Sequence, residues 1–109
     1  MLEESTQNIP IACNLSAREL NERRVDVQAT MQGLCEVKEL GDGYALQFPG
    51  TSDWAQTLLQ LIIQERACCP FFSFELHFEP QEGPISLHLR GPEGTKSFIQ
   101  EMIGIAPGQ

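Results

Sequence analysis

Cys68 and Cys69 stand side by side immediately before Pro70, and Glu65 precedes them by one helical turn. Two thiols and a carboxylate at that spacing are a donor set for a thiophilic cation, since thiolates favour soft ions over hard ones. Proline biases the residue before it away from the helical region, so a helix carrying Glu65 is expected to stop at the cysteine pair. At about 100° per residue, Trp54, Leu58, Leu61, Ile62 and Cys69 share one face, with Cys68 at its edge beside Leu61. Glu65 falls in the middle of that face. A carboxylate there is costly unless it is paired or hydrogen-bonded. It either reaches the rim, pairs with an arginine, or serves the thiols.

The position of the pair restricts its chemistry. Partial negative charge gathers at a helix C-terminus, and Glu65 adds to it, so an activated nucleophilic thiolate is disfavoured. Coordination removes the thiol proton outright, which favours metal binding over covalent catalysis. No residue is assigned a catalytic role, and the chain leans away from being an enzyme. Adjacent cysteines do not make a closed zinc knuckle, which needs two spaced pairs. The expected ligands are Cys13, Cys68, Cys69 and Glu65, and the ions that suit them are cuprous, mercuric or zinc. Cys35 begins a strand in phase with Val37 and is expected in the core. His77 and His88 fall on adjacent strands on a polar sheet face, and a solvated face is the preferred reading for them.

The elements that must position these groups follow from periodicity. Met1 to Pro10 reads as a flexible arm, and residues 11–109 as a single domain. Ser16 and Glu19 have capping-box spacing and open a helix expected over residues 17–34. Its apolar stripe is Ala17, Leu20, Val27, Met31 and Leu34, and Arg23 and Arg24 border it, either one a partner for Glu65. Residues 35–40 and 44–48 form a hairpin across Gly41-Asp42-Gly43. Thr51, Ser52 or Asp53 caps the cysteine-bearing helix. Alternation from Phe72 to Glu79 and from Ile85 to Arg90 gives two more strands, turned by Gln81-Glu82-Gly83-Pro84. A last helix carries Phe98, Ile99, Met102 and Ile103 and stops at Gly104.

The order is α-ββ-α-ββ-α, an α+β fold with a four-stranded antiparallel sheet and helices on one face. Tyr44, Leu46, Phe48 and Gly50 echo Ile85, Leu87, Leu89 and Gly91, which suggests a ββα pseudo-repeat. Ser73, Glu75, His77, Ser86, His88 and Arg90 populate the other face, and homodimerisation through that face or an edge is left open.

Composition sets the outer bounds. Among 109 residues there are 15 acidic and 7 basic side chains, for a net charge of −8. Such a surface repels phosphate backbones and anionic lipid, so neither nucleic acid nor membrane is an expected partner. No apolar run of bilayer length occurs, and the acidic start does not resemble a secretory signal. The expected compartment is the reducing cytoplasm, where the four cysteines remain thiols.

The block Glu65-Arg66-Ala67-Cys68-Cys69-Pro70-Phe71-Phe72-Ser73-Phe74 resembles the E-R-x-C-C-P-F-x-x-F mark of a family of small uncharacterised bacterial proteins. The C-x-L-[ST] start of that family has its counterpart in Cys13-Asn14-Leu15-Ser16, and its following arginine in Arg23 or Arg24. The resemblance implies that Cys13, Glu65, Cys68 and Cys69 belong together. It also implies a context of heavy-metal, especially mercury, resistance.

Three functions are therefore expected to compete. The leading one is binding or handling of a soft metal ion, or a small thiophilic ligand, through cysteine thiolates. The second is thiol redox or thiol transfer using Cys13 with Cys68 or Cys69. The third is a structural or dimeric module whose cysteines merely pack.

Overall fold

The computed structural model describes residues 17–104, with side chains described for Glu22 and for residues 25–104. The N-terminal arm, Cys13 and the Ser16 cap lie outside the described residues, as do the side chains of Arg23 and Arg24. Among the described residues three helices and four strands follow in the order α1 (Ala17–Met31), β1 (Glu36–Leu40), β2 (Gly43–Phe48), α2 (Ser52–Cys68), β3 (Ser73–Phe78), β4 (Ile85–Arg90) and α3 (Thr95–Ile103). This is the α+β arrangement that the alternation of periods implies.

The strands form one antiparallel sheet in the order β1-β2-β4-β3. Each hairpin pairs its own strands, and the two hairpins meet through their second strands. The central pairs are Tyr44↔Leu89, Leu46↔Leu87 and Phe48↔Ile85. The sequence echo equates Tyr44 with Ile85 and Phe48 with Leu89, so exchanging the two halves reproduces the same pairs. The repeat is thus matched by a local two-fold arrangement about Leu46 and Leu87.

One sheet face carries the core. Tyr44, Leu46, Phe48, Ile85, Leu87 and Leu89 pack against Val27 of α1, Leu58, Leu61 and Ile62 of α2, and Ile99 of α3. The buried Tyr44 hydroxyl accepts a hydrogen bond from Gln100 Nε2 at 2.7 Å, which ties the central strand to α3. Gly43 is required by close approach, because a Cβ there would lie 1.7 Å from the Leu89 carbonyl oxygen. Among the described residues no helix is long and apolar enough to cross a membrane.

Three local features depart from the periodic reading. The first helix ends at Met31 rather than at residue 34, because the amides of Gln32, Gly33 and Leu34 bond three residues back and tighten its tail. Leu34 still packs against the core. Cys35 is exposed, not core. It precedes the first ladder pair, Glu36↔Gln47, at the start of an edge strand, where alternation alone does not secure cover. Phe78, in phase with the partly buried Phe74 and Leu76, is 60% exposed at the end of the other edge strand.

Candidate metal centre

The helix α2 starts where Thr51 Oγ1 accepts from the Trp54 amide at 3.1 Å, and Asp53 in its first turn complements the positive helix end. Its buried positions, Leu58, Leu61, Ile62, Glu65 and Cys68, repeat at helical spacing, so the sheet side of the helix delivers Glu65 and the cysteines to the interior. At the other end the Cys69 amide donates to the Glu65 carbonyl at 2.7 Å, and Pro70 takes the chain away. Backbone and side chain of Glu65 therefore both face the cysteine pair.

Glu65, Cys68 and Cys69 are all at least 96% buried. Their ligand atoms lie within 4.8 Å of one another. Cys68 Sγ is 3.3 Å from Cys69 Sγ and 3.9 Å from Glu65 Oε1. All three residues have further interactions beyond these contacts. Cys69 is disulfide-bonded, which departs from the expectation that every cysteine remains a thiol, whereas Cys68 carries a thiol.

An aromatic shell closes over the sulfurs. Phe71 is buried against Cys68 and Cys69, with Phe72 and Phe98 packed on the same cluster. The Phe71 ring lies 4.5 Å from Phe72 and meets Phe98 edge-on at 5.0 Å. Phe98 comes from α3, so the shell joins the end of one helix to the face of another. Sequence reading singled out the cysteines and not this shell. The signal was present in the phenylalanines at positions 71, 72 and 74 directly after the pair.

Of the expected ligands, Glu65, Cys68 and Cys69 are brought together, and Cys13 lies outside the described residues. Cys35 is remote from this group in kind as well as exposure: its thiol donates to the Gly33 carbonyl at 3.5 Å on the outer edge. Arg66 is exposed in the last turn of α2.

A second convergence of donors lies on the opposite sheet face. Glu75 Oε1 is 3.0 Å from His77 Nε2 and 3.4 Å from His88 Nδ1, while Glu75 Oε2 accepts from Arg90 Nε at 3.1 Å. Arg90 also donates to Asp42 Oδ1 at 2.8 Å. The hydrogen bond from His77, and after it the charge of Arg90, hold the Glu75 carboxyl below the usual range despite some desolvation. Burial, and then the neighbouring His77, push the His88 imidazole below its ordinary value.

No family model, curated protein or solved structure matches this chain.

Proposed function

We propose that the reduced protein binds or handles a soft metal ion through the thiolates of Cys68 and Cys69, with Glu65 as auxiliary ligand or proton acceptor. The observation that supports this reading is the convergence of the three buried donors within 4.8 Å of one another. Cys13 would complete the set, as its place in the sequence motif suggests. Cuprous and mercuric ions suit two or three thiolates, and zinc is the harder alternative. The heavy-metal context implied by the family resemblance fits the same reading, as does a reducing cytoplasm.

The disulfide at Cys69 makes reduction a precondition. Two electrons and two protons from a dithiol reductant open the bond, and the ion then displaces the thiol protons. Glu65 is positioned to accept the proton of Cys68. Because the sulfurs are sealed by phenylalanine, an ion held there would exchange slowly, in the manner of a closed site.

The test is anaerobic titration of the fully reduced chain with cuprous, mercuric and zinc ions against a competing chelator. Cys68→Ser and Cys69→Ser should each weaken cuprous and mercuric binding by more than tenfold, and Cys35→Ser should leave it unchanged. Equal cuprous and mercuric affinity in the wild type and both pair variants would sink the reading.

The disulfide itself favours a second reading, thiol exchange. Attack of Cys68 Sγ on Cys69 Sγ, 3.3 Å away, would form the vicinal bond and release the former partner of Cys69 as a thiolate. The Cys68 proton would pass through Glu65 to that leaving thiolate. A disulfide between adjacent residues is strained, so the exchange would favour the starting bond. Mass spectrometry of the unreduced chain should yield a Cys13–Cys69 crosslinked peptide; its absence would count against this version.

A further inference from the structure

The open face of the sheet brings together two imidazoles and a carboxylate that the thiol centre does not use. Antiparallel register sets this up. Glu75 and His77 are two residues apart on β3 and so share a face. Glu75 lies directly opposite His88 on β4, and His77 opposite Ser86. On its other side His88 faces Ala45 of β2, whose small side chain leaves a groove of about 280 Å³ toward Lys38.

Arg90 fixes the carboxylate. By engaging Oε2 it leaves Oε1 directed at the two ring nitrogens. The rings stack with centroids 4.1 Å apart and planes 23° from parallel, so the half-exposed His77 ring must turn out of the stack before both nitrogens can point in-plane at one ion. A hydrogen bond accounts for the 3.0 Å contact between Glu75 and His77. His88 Nδ1, a buried atom, lies 3.4 Å from the same oxygen, an ion-pair distance when the ring is protonated but too long for a well-formed hydrogen bond when it is neutral. In the neutral ring that nitrogen has only this long contact, a state that a cation between it and the carboxylate would relieve.

Tetrahedral coordination at about 2.0–2.1 Å places neighbouring donor atoms on the order of 3.3 Å apart. The two Glu75–imidazole distances, 3.0 and 3.4 Å, bracket that value. We propose that Glu75 Oε1, His77 Nε2 and His88 Nδ1 form a binding site for a borderline divalent transition-metal ion such as zinc. The donors are nitrogen and oxygen, so this site selects a different class of ion from the thiol pair. Three protein ligands leave one coordination position facing the groove, which has room for water or a small anion. Glu36 and Glu79 at the groove wall oppose the positive charge of Lys38 and favour a cation there. Arg90, already held by Asp42 and Glu75, acts as a positioning residue that orients the carboxylate.

The test is zinc titration of the full chain with its Cys69 disulfide left intact, followed by NMR of the imidazole nitrogens and by chelator competition. One equivalent of zinc should move His77 Nε2 and His88 Nδ1 together. His77→Ala and the near-isosteric Glu75→Gln should each weaken zinc by more than the roughly 10- to 100-fold lost with an outer-shell partner. His77 is half-exposed, so its variant should keep the wild-type thermal midpoint in chelator; Glu75→Gln gives a second comparison that preserves shape. Cys68→Ser should leave the histidine shifts intact, which separates this site from the thiol centre. Imidazole nitrogens unmoved at saturating zinc, unchanged affinity in His77→Ala, or loss of the shifts in Cys68→Ser would each overturn the proposal.

Discussion

The thiol cluster at the end of α2 and the imidazole–carboxylate cluster on the open sheet face each gather three donors, but in opposite surroundings. Glu65, Cys68 and Cys69 are 4, 3 and 1% exposed and sealed by phenylalanine. The side chains of Glu75, His77 and His88 are 41, 49 and 17% exposed beside an open groove. Burial at the first cluster makes its donors part of the packing, so binding and stability are coupled there. At the second, solvent carries much of the cost of an empty site, and the donors can change with little effect on the fold.

The largest expected effect comes from breaking the seal. Phe71→Ala should destabilise the protein by about 3–5 kcal/mol, as large-to-small changes of buried aromatics do. It should also speed reaction of Cys68 with a thiol reagent, while zinc shifts at His77 and His88 persist. Denaturant melts and timed alkylation would check both parts.

Next comes Cys68→Ser, which puts a hydroxyl into a phenylalanine-lined space. Without a new hydrogen bond it should cost about 1–3 kcal/mol, read from the midpoint of chemical unfolding. The same substitution should remove soft-metal affinity, so one residue tests both halves of the coupling. By contrast, His77→Ala should change stability by no more than about 0.5 kcal/mol, the ordinary range for surface positions. A larger loss in chelator would erase the contrast between the clusters.

The smallest effect is a pH dependence. In the metal-free chain His88 binds its proton less readily when folded, chiefly because of burial. Its contribution to stability is therefore fully present above the unfolded value of 6.5 and is lost as pH falls through the lower folded value. Melting in chelator across that window, with His88→Gln as reference, should show the wild type losing more stability on acidification. An equal loss in both would remove His88 as the source.

Much of this architecture was legible in the sequence because it depends on local periods. The three-residue spacing of Glu65 and Cys68, and Pro70 after Cys69, were enough to foresee a carboxylate and two sulfurs at a helix end, though not that Cys69 is held in a disulfide. The stop at Gly104 was equally local, and the structure has that glycine at φ 77°, in the left-handed region. What escaped depends on partners distant in sequence. Cys35 shares the phase of Val37, but phase does not reveal whether a strand lies at the edge. Glu75 and the two histidines were read as one polar face, yet their convergence needs the β3–β4 register. That register was recoverable in principle: a turn centred between Gln81 and Glu82 pairs Phe78 with Ile85, and so Glu75 with His88. Both turn residues are left-handed without being glycine, with φ of 60° and 56°, which local composition does not signal.

The meeting of the two hairpins through β2 and β4 also governs how the chain finds its shape. Each hairpin joins strands close in sequence and can close early, whereas the Leu46↔Leu87 pair must bring together residues far apart along the chain. Long-range pairing of that kind slows folding, because loop entropy is lost before the contact is gained. The rate-determining event should then be the docking of one ββ unit on the other. Until it occurs, each unit carries a raw apolar strand edge suited to its counterpart, and equally suited to the same unit of another chain.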